Sequence, residues 1–249
     1  MKKTLVITGG SRGIGAEISR AFVKAGYYVL IGARKETGIT ELLGKRARFK
    51  SMDVSKEEDH QKLAAAALRW TGKIDVYLNC AGFSKWSPIG KVDETFWNKM
   101  IDTNLKGTFW GCKVASKYLQ KWGCIINISS IAGKRGTANN SVYCASKFGV
   151  TGLTQALSKE LGPKGIRVNA VCPVLIMTPG LKMALSEDDS PIKGGSISVF
   201  LKKFTKEQTA LNRLPTAAEV AQVCLWLASP AASAITGQSV TVDCGVFPQ

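Results

Sequence analysis

Histidine is almost missing from this chain of 249 residues: a single one, His60, lies in a charged segment where the sequence predicts plain surface. A nucleophilic triad that relies on an imidazole base therefore lacks its base. Zinc would have to be held by thiolates, yet the seven cysteines (80, 112, 124, 144, 172, 224 and 244) form no C-x-x-C pair. No metal site is expected, and an odd number of scattered thiols reads as reduced, mostly core residues. Long apolar runs are also lacking: no stretch approaches the roughly 18 residues that span a bilayer. The short apolar run after Met1-Lys2-Lys3 is too brief for a secretory segment and no small-residue cleavage site follows it, so the expected compartment is the cytosol. Acidic residues are scarce, 18 against 34 Lys and Arg, a formal net charge of +16. That imbalance favours an anionic ligand or partner. The basic residues are spread along the chain without aromatic interleaving, which argues against nucleic acid.

What is present is ordinary for a globular protein: 45% apolar and 21% charged residues. Apolar runs of strand length alternate with amphipathic helical stretches and no repeat or linker intervenes. Strands are predicted near 4–8, 28–33, 48–52, 74–79, 124–129, 166–172 and 239–243, and helices near 13–25, 56–70, 95–121, 142–161 and 217–228. This order predicts an α/β fold in one domain, residues 1–249: a doubly wound, Rossmann-type parallel sheet of about seven strands with helices on both faces. One stretch, residues 173–215, breaks the rhythm with Lys, Ser, Gly and Pro. An excursion beyond the carboxyl end of a strand is where such a fold builds a substrate lid.

The first strand runs into Thr8-Gly9-Gly10-Ser11-Arg12-Gly13-Ile14-Gly15 and then into a helical pattern. Glycines at a strand-to-helix turn let the backbone approach a pyrophosphate, and the free N–H groups of the helix start favour its charge. Farther along, Tyr143 and Lys147 stand four residues apart on a predicted helix, so their side chains share a face. An ammonium close to a tyrosine stabilises the phenolate and makes the pair a candidate acid/base.

These residues resemble the short-chain dehydrogenase/reductase family over essentially the whole chain. The glycine motif T-G-x-x-x-G-x-G matches Thr8, Gly9, Gly13 and Gly15, with Ser11, Arg12 and Ile14 inside the same turn. Asp53-Val54 resembles the family's adenine contact, and Asn79-Cys80-Ala81-Gly82 its N-N-A-G segment with one change. Ser130, thirteen residues before Tyr143, and Asn104 in an N-x-x-G segment occupy the family's serine and asparagine positions. The resemblance implies that hydride passes between a nicotinamide and a carbonyl carbon, that Tyr143 exchanges the proton, that Ser130 holds the substrate oxygen, and that Lys147 also binds the nicotinamide ribose. Asn104 would hold a water joining the lysine to solvent. Pro173 and Thr178 would lie beside the nicotinamide, Thr178 bonding its carboxamide.

NAD-specific relatives carry an acidic residue at the end of the second strand, where this chain has Ala33 followed by Arg34. Arg34 and Arg12 could flank a 2′-phosphate, so NADP(H) is expected over NAD(H). Two departures stand out: Pro173-Val174 replaces a usual Pro-Gly, and Asp243-Cys244-Gly245 a usual Asp-Gly-Gly near a subunit contact. A homotetramer is still implied. The chain is similar to 3-oxoacyl-carrier-protein reductases, whose acidic acyl carrier protein would be received near Lys121 and Lys164, whereas Phe83 and Trp86 at the pocket entrance suit a bulkier ring ketone, sugar or polyketide-like substrate equally well. A nucleotide-sensing regulator and a nucleic-acid scaffold are readings of other classes. The first has no need for the full Ser-Tyr-Lys-Asn set, and the second would show salt-dependent binding indifferent to NADPH.

Overall fold

The structure, a computed structural model, describes residues 2–248. β1 (Thr4–Thr8) leads into α1 (Gly13–Lys24), β2 (Tyr28–Ala33), a short α2 (Ile39–Leu43) and β3 (Ala47–Ser51). The second half-unit follows as α3 (Glu57–Thr71), β4 (Val76–Asn79), α4 (Glu94–Ile101), α5 (Gly107–Tyr118), β5 (Cys124–Ile128), α6 (Ser141–Leu161) and β6 (Arg167–Pro173). α7 (Pro179–Leu185), α8 (Ile197–Gln208), α9 (Ala217–Ala228) and β7 (Ser239–Val242) complete the chain. All neighbouring strands are parallel, in the order β3-β2-β1-β4-β5-β6-β7. The order reverses between β1 and β4, and a crevice opens there at the carboxyl ends of the strands.

Strand alternation sorts side chains onto two buried faces. Leu5, Ile7, Val29, Ile31, Val76 and Leu78 pack beneath α1 and α9, where Ile18, Phe22, Val220 and Leu227 meet them. Val6, Leu30, Tyr77 and Ile125 point the other way, against Leu63 and Ala67 of α3, Cys112 and Ala115 of α5 and Leu161 of α6. Because both faces are covered, the central strands read as unbroken apolar runs. This is why periodicity finds them so readily.

Three expectations need correction. The helix predicted at 95–121 is two helices joined by a π-helical turn over Asp102–Lys106, and it ends at Tyr118. The wider turn lies where Asn104 must face inward, and insertions of this kind gather at functional positions. Residues 173–215, which read as irregular, contain α7 and α8, started by the Thr178 and Ser196 hydroxyls accepting from Leu181 and Val199 N–H. His60 is not surface at all: it is fully buried, one ring nitrogen 2.9 Å from the Tyr77 hydroxyl and the other 2.9 Å from the Val54 carbonyl. Of its neighbours, Glu58, Gln61 and Lys62 lie in solvent on the outer side of the same helix, whereas Asp59 turns towards the same 53–54 segment as His60.

α9 begins with a reciprocal cap. The Thr216 hydroxyl accepts from the Glu219 N–H at 3.2 Å, and the Glu219 carboxylate accepts from the Thr216 N–H at 2.8 Å. Arg213 adds two hydrogen bonds to that carboxylate, which holds it down to about 2. Replacing Thr216 by Ala removes one half of the cap and is expected to lower stability by about 1 kcal/mol in urea denaturation. An unchanged midpoint would show that the cap contributes nothing.

Candidate active site

Apart from Asn104, the predicted site residues are the last residues of strands (Thr8, Asn79 and Pro173) or lie in the loops and first helical turns that follow them, at the carboxyl edge of the sheet. The turn after β1 is fixed by glycine geometry. Gly9 has φ of +69°, and a Cβ there would come within 2.7 Å of the Ala81 Cα. A Cβ on Gly15 would drive into the Gly9 carbonyl oxygen. The turn can close against the segment after β4 only without these side chains. Thr8 fastens the same junction, its hydroxyl accepting from the Cys80 and Ala81 N–H groups at 3.2 and 3.3 Å.

α1 starts at this turn with neither a side-chain cap nor an acid in its first turn, so its N-terminal N–H groups and partial positive charge are left for a ligand. Arg12 and Arg34 are both exposed. Among the described residues, neither guanidinium is paired with a carboxylate. A dinucleotide fits this cradle: backbone donors for the pyrophosphate and two guanidinium groups for a further phosphate. Asp53 and Val54 lie beside it, since Met52 N–H bonds the Ala33 carbonyl at 3.0 Å and the Ser51 hydroxyl bonds the Arg34 carbonyl at 3.3 Å. The Asp53 carboxylate accepts from Ser55 N–H and hydroxyl, which keeps it below the usual range.

On the other side of the crevice, α6 brings Tyr143 and Lys147 to the end of β5. Lys147 is buried, and its Nζ donates to the Ile128 carbonyl at 2.9 Å. It lies 5.7 Å from the centre of the Tyr143 ring. Burial pushes its ammonium down to about 8. Tyr143 contradicts the expected direction: loss of water around the phenol pushes it up to about 12, the hydrogen bond with Ser130 opposing that only in part. Desolvation of the phenolate outweighs the nearby ammonium, so the resting side chain is a protonated acid. Ser130 is half-buried, and its hydroxyl lies 3.4 Å from the Pro173 carbonyl and accepts from Ala132 N–H at 3.1 Å.

Asn104 is fully buried in the π turn. Its amide clasps the Phe83 backbone on both sides, accepting from N–H at 3.0 Å and donating to the carbonyl at 2.9 Å. A Cβ on Gly82 would stand 3.1 Å from the Asn104 oxygen and 3.6 Å from Lys147 Nζ, so the three meet at one point. Thr178 caps α7 and its methyl group faces Gly13 across the crevice. Asn79 is the predicted residue that does not face the crevice. Its side chain turns into the core and donates to Asn127 Oδ1 at 2.9 Å. Trp86 likewise proves to be a packing residue, buried against Ala184 and Leu185 of α7.

Sequence reasoning missed three supports. Thr37 donates to the Ser11 carbonyl at 2.7 Å and ties the loop after β2 to the glycine turn. Ser146 is fully buried, donates to the Tyr143 carbonyl at 2.7 Å and accepts from Asn104 at 3.3 Å. Ser129 donates to the Lys147 carbonyl at 3.0 Å. No spacing rule marks these hydroxyls; Ser129, directly before Ser130, was the nearest to a signal.

Residues 9–247 match the family model described as enoyl-(acyl carrier protein) reductase. The chain is 36% identical to the 3-oxoacyl-[acyl-carrier-protein] reductase FabG of Chlamydia muridarum, with 99% of this chain and 98% of the relative covered. Among solved structures, a short-chain dehydrogenase/reductase from Brucella melitensis superposes with a TM-score of 0.90 at 32% identity, both chains covered in full. An actinorhodin polyketide ketoreductase variant solved with NADPH gives a TM-score of 0.89 at 32% identity, covering 98% of this chain and 97% of its own. With its glycine turn, its Ser130, Tyr143 and Lys147 at the end of β5, and these relatives, the chain belongs to the short-chain dehydrogenase/reductase family of oxidoreductases.

Proposed function

We propose that this protein is an NADP(H)-dependent ketoreductase that reduces a 3-oxoacyl thioester to the 3-hydroxyacyl product. The observation that carries this reading is the convergence of a protonated Tyr143, the Ser130 hydroxyl and a buried Lys147 opposite a cradle with two unpaired arginines. Bound NADPH supplies the hydride. Arg12 and Arg34 hold the 2′-phosphate, the turn from Gly9 to Gly15 with Ser11 and Ile14 holds the pyrophosphate, and Asp53, Val54, Ala81 and Gly82 border the adenosine half. Ser130 donates a hydrogen bond to the substrate carbonyl and Tyr143 gives up its proton as negative charge develops on that oxygen. Lys147 keeps its ammonium behind the tyrosine and lowers the cost of the phenolate that remains. Asn104 holds the Phe83 backbone in place at the proton's route to solvent, and Pro173 and Thr178 close the nicotinamide side.

Residues 173–215 form the lid. α8 lays Phe200 and Phe204 along it, and a groove of about 540 Å³ lined by Ile192, Val199, Phe200 and Phe204 runs beside Lys203. A second substrate class, a polyketide-like ketone, is in keeping with the ketoreductase neighbour. An acidic acyl carrier protein is the proposed macromolecular partner. Lys121 and Lys164, the expected contacts, lie before β5 and β6, at the opposite end of the strands from Ser130. Exposed Lys182, Lys202, Lys203 and Lys206 on α7 and α8 are better placed at the lid.

The assembly proposed is a homotetramer, supported by exposed Phe109 and Phe148 on α5 and α6 and exposed Trp226 on α9 beside edge strand β7. No described helix is long and apolar enough to cross a membrane. The proposed compartment is the cytoplasm, which suits seven cysteines that are all free thiols.

Two measurements test the reading. With acetoacetyl thioester, NADPH oxidation is expected to exceed NADH oxidation by tenfold to a hundredfold, as on the order of 1.5 to 3 kcal/mol from a charge-assisted contact implies. Tyr143→Phe should lower turnover by about 10²- to 10⁴-fold while NADPH still binds. Substantial residual turnover in that variant refutes the acid role. The pH profile is a separate test. Lys147 is charged below about 8 and neutral above it, so the rate of reduction is expected to fall as pH rises through that value, and to hold level in Lys147→Arg if that variant retains turnover. A fall of the same shape in both proteins would assign the ionisation to another group.

A further inference from the structure

Two adjacent side chains of α3 hold the segment that borders the adenosine half of the crevice. Asp59 Oδ2 accepts from the Asp53 N–H at 2.9 Å. His60, the next residue, lies 2.9 Å from the Val54 carbonyl through Nε2 and 2.9 Å from the Tyr77 hydroxyl through Nδ1. A carbonyl only accepts, so Nε2 carries the proton and Nδ1 accepts from the tyrosine. Burial keeps the ring neutral, which this pattern requires. Tyr77 is itself fully buried in β4, so the bracket is anchored in the sheet. From the far side, the start of α5 closes on the same segment: a Cβ on Gly107 would stand 3.0 Å from Val54 Cγ2. The N–H of residue 53 and the carbonyl of residue 54 are thus fixed by side chains that do not themselves line the crevice.

We infer that Asp59 and His60 are positioning residues for the cofactor: they fix the Asp53–Val54 backbone and so set affinity for the adenosine 2′-phosphate half of NADP(H). The inference rests on the proposed cofactor site. It assigns the only histidine a role that neither acid/base catalysis nor metal binding supplies.

The test uses the intact protein and three variants, Asp59→Ala, Asp59→Asn and His60→Gln. NADPH, adenosine 2′,5′-bisphosphate and nicotinamide mononucleotide are titrated by calorimetry, and KM for NADPH and kcat are measured with one ketone. Asp59→Ala is expected to weaken NADPH and adenosine 2′,5′-bisphosphate by about tenfold, the worth of one hydrogen bond to a charged group at the low end of its range. Nicotinamide mononucleotide affinity and kcat at saturating NADPH should stay as in the parent. Asp59→Asn keeps an acceptor for the Asp53 N–H and should restore most of the loss. His60→Gln should raise KM for NADPH in the same direction, and if it does not fold, the Asp59 pair decides. A melting temperature that drops without any change in NADPH affinity overturns the inference, as does an Asp59→Asn variant no better than Asp59→Ala. Failure of the parent protein to bind NADPH or adenosine 2′,5′-bisphosphate is a different result, which removes the cofactor reading itself.

Discussion

A buried ammonium organises this site. Lys147 carries its charge to a place that water hardly reaches, and a single carbonyl, that of Ile128, accepts from it. Such a charge costs several kcal/mol unless its surroundings are arranged for it. The surroundings are therefore tight. Gly133 lacks a side chain because a Cβ would come within 2.6 Å of the Lys147 carbonyl, which also receives the Ser129 hydroxyl. Gly82 leaves room for Nζ on one side and the Asn104 amide on another. The turn after β5, the turn after β4 and the π turn before α5 all take their shape around one lysine.

The same constraint explains the state of the tyrosine. Tyr143 and Lys147 share one dry environment, and burial moves their proton affinities in opposite directions, the phenol up and the ammonium down. Each is thereby brought closer to its neutral form. A neutral phenol beside a partly destabilised ammonium suits the proposed role, in which Tyr143 gives a proton to a developing alkoxide and Lys147 gains most when negative charge appears beside it.

Much of this was legible in the sequence because it rests on local pattern. The buried strands are continuous apolar runs, and the glycine turn and the four-residue interval from Tyr143 to Lys147 are set by backbone geometry. What escaped depends on contacts distant in sequence. His60 looked exposed among charged neighbours, yet it occupies the inner side of α3 and is claimed by Tyr77, seventeen residues on. The π turn around Asn104 has no sequence signal, because one widened turn leaves the apolar pattern on either side intact. Residues 173–215 read as irregular since α7 is short and α8, although as long as α1, buries no residue fully. The direction of the Tyr143 shift was misjudged for a related reason: a charge partner can be inferred from spacing, but the depth of burial that outweighs it cannot.

Stability is shared unevenly between the two sides of the crevice, and function accounts for the difference. The side that must hold geometry is built from buried hydrogen bonds: Asn79 to Asn127, Asn127 to Thr154, Thr8 to the Cys80–Ala81 backbone. Each would leave an unpaired group in the core if broken, which makes this half stiff. Residues 173–215, the proposed lid, meet the rest at one end through the Trp86 cluster and two surface ion pairs, Lys85 with Glu187 at 2.8 Å and Lys91 with Asp189 at 2.7 Å, and at the other through Phe204 and Leu214 packed with Ile131, Val174 and Val246 and the Leu211 N–H donating to the Cys244 carbonyl at 3.2 Å. Pairs of that kind contribute at most about 1 kcal/mol each and re-form readily in water. In the proposed lid role, the α7 end, held by such pairs, would open more readily than the end that Phe204 and Leu214 anchor, while Tyr143 and Lys147 stay fixed on the stiff side of the crevice.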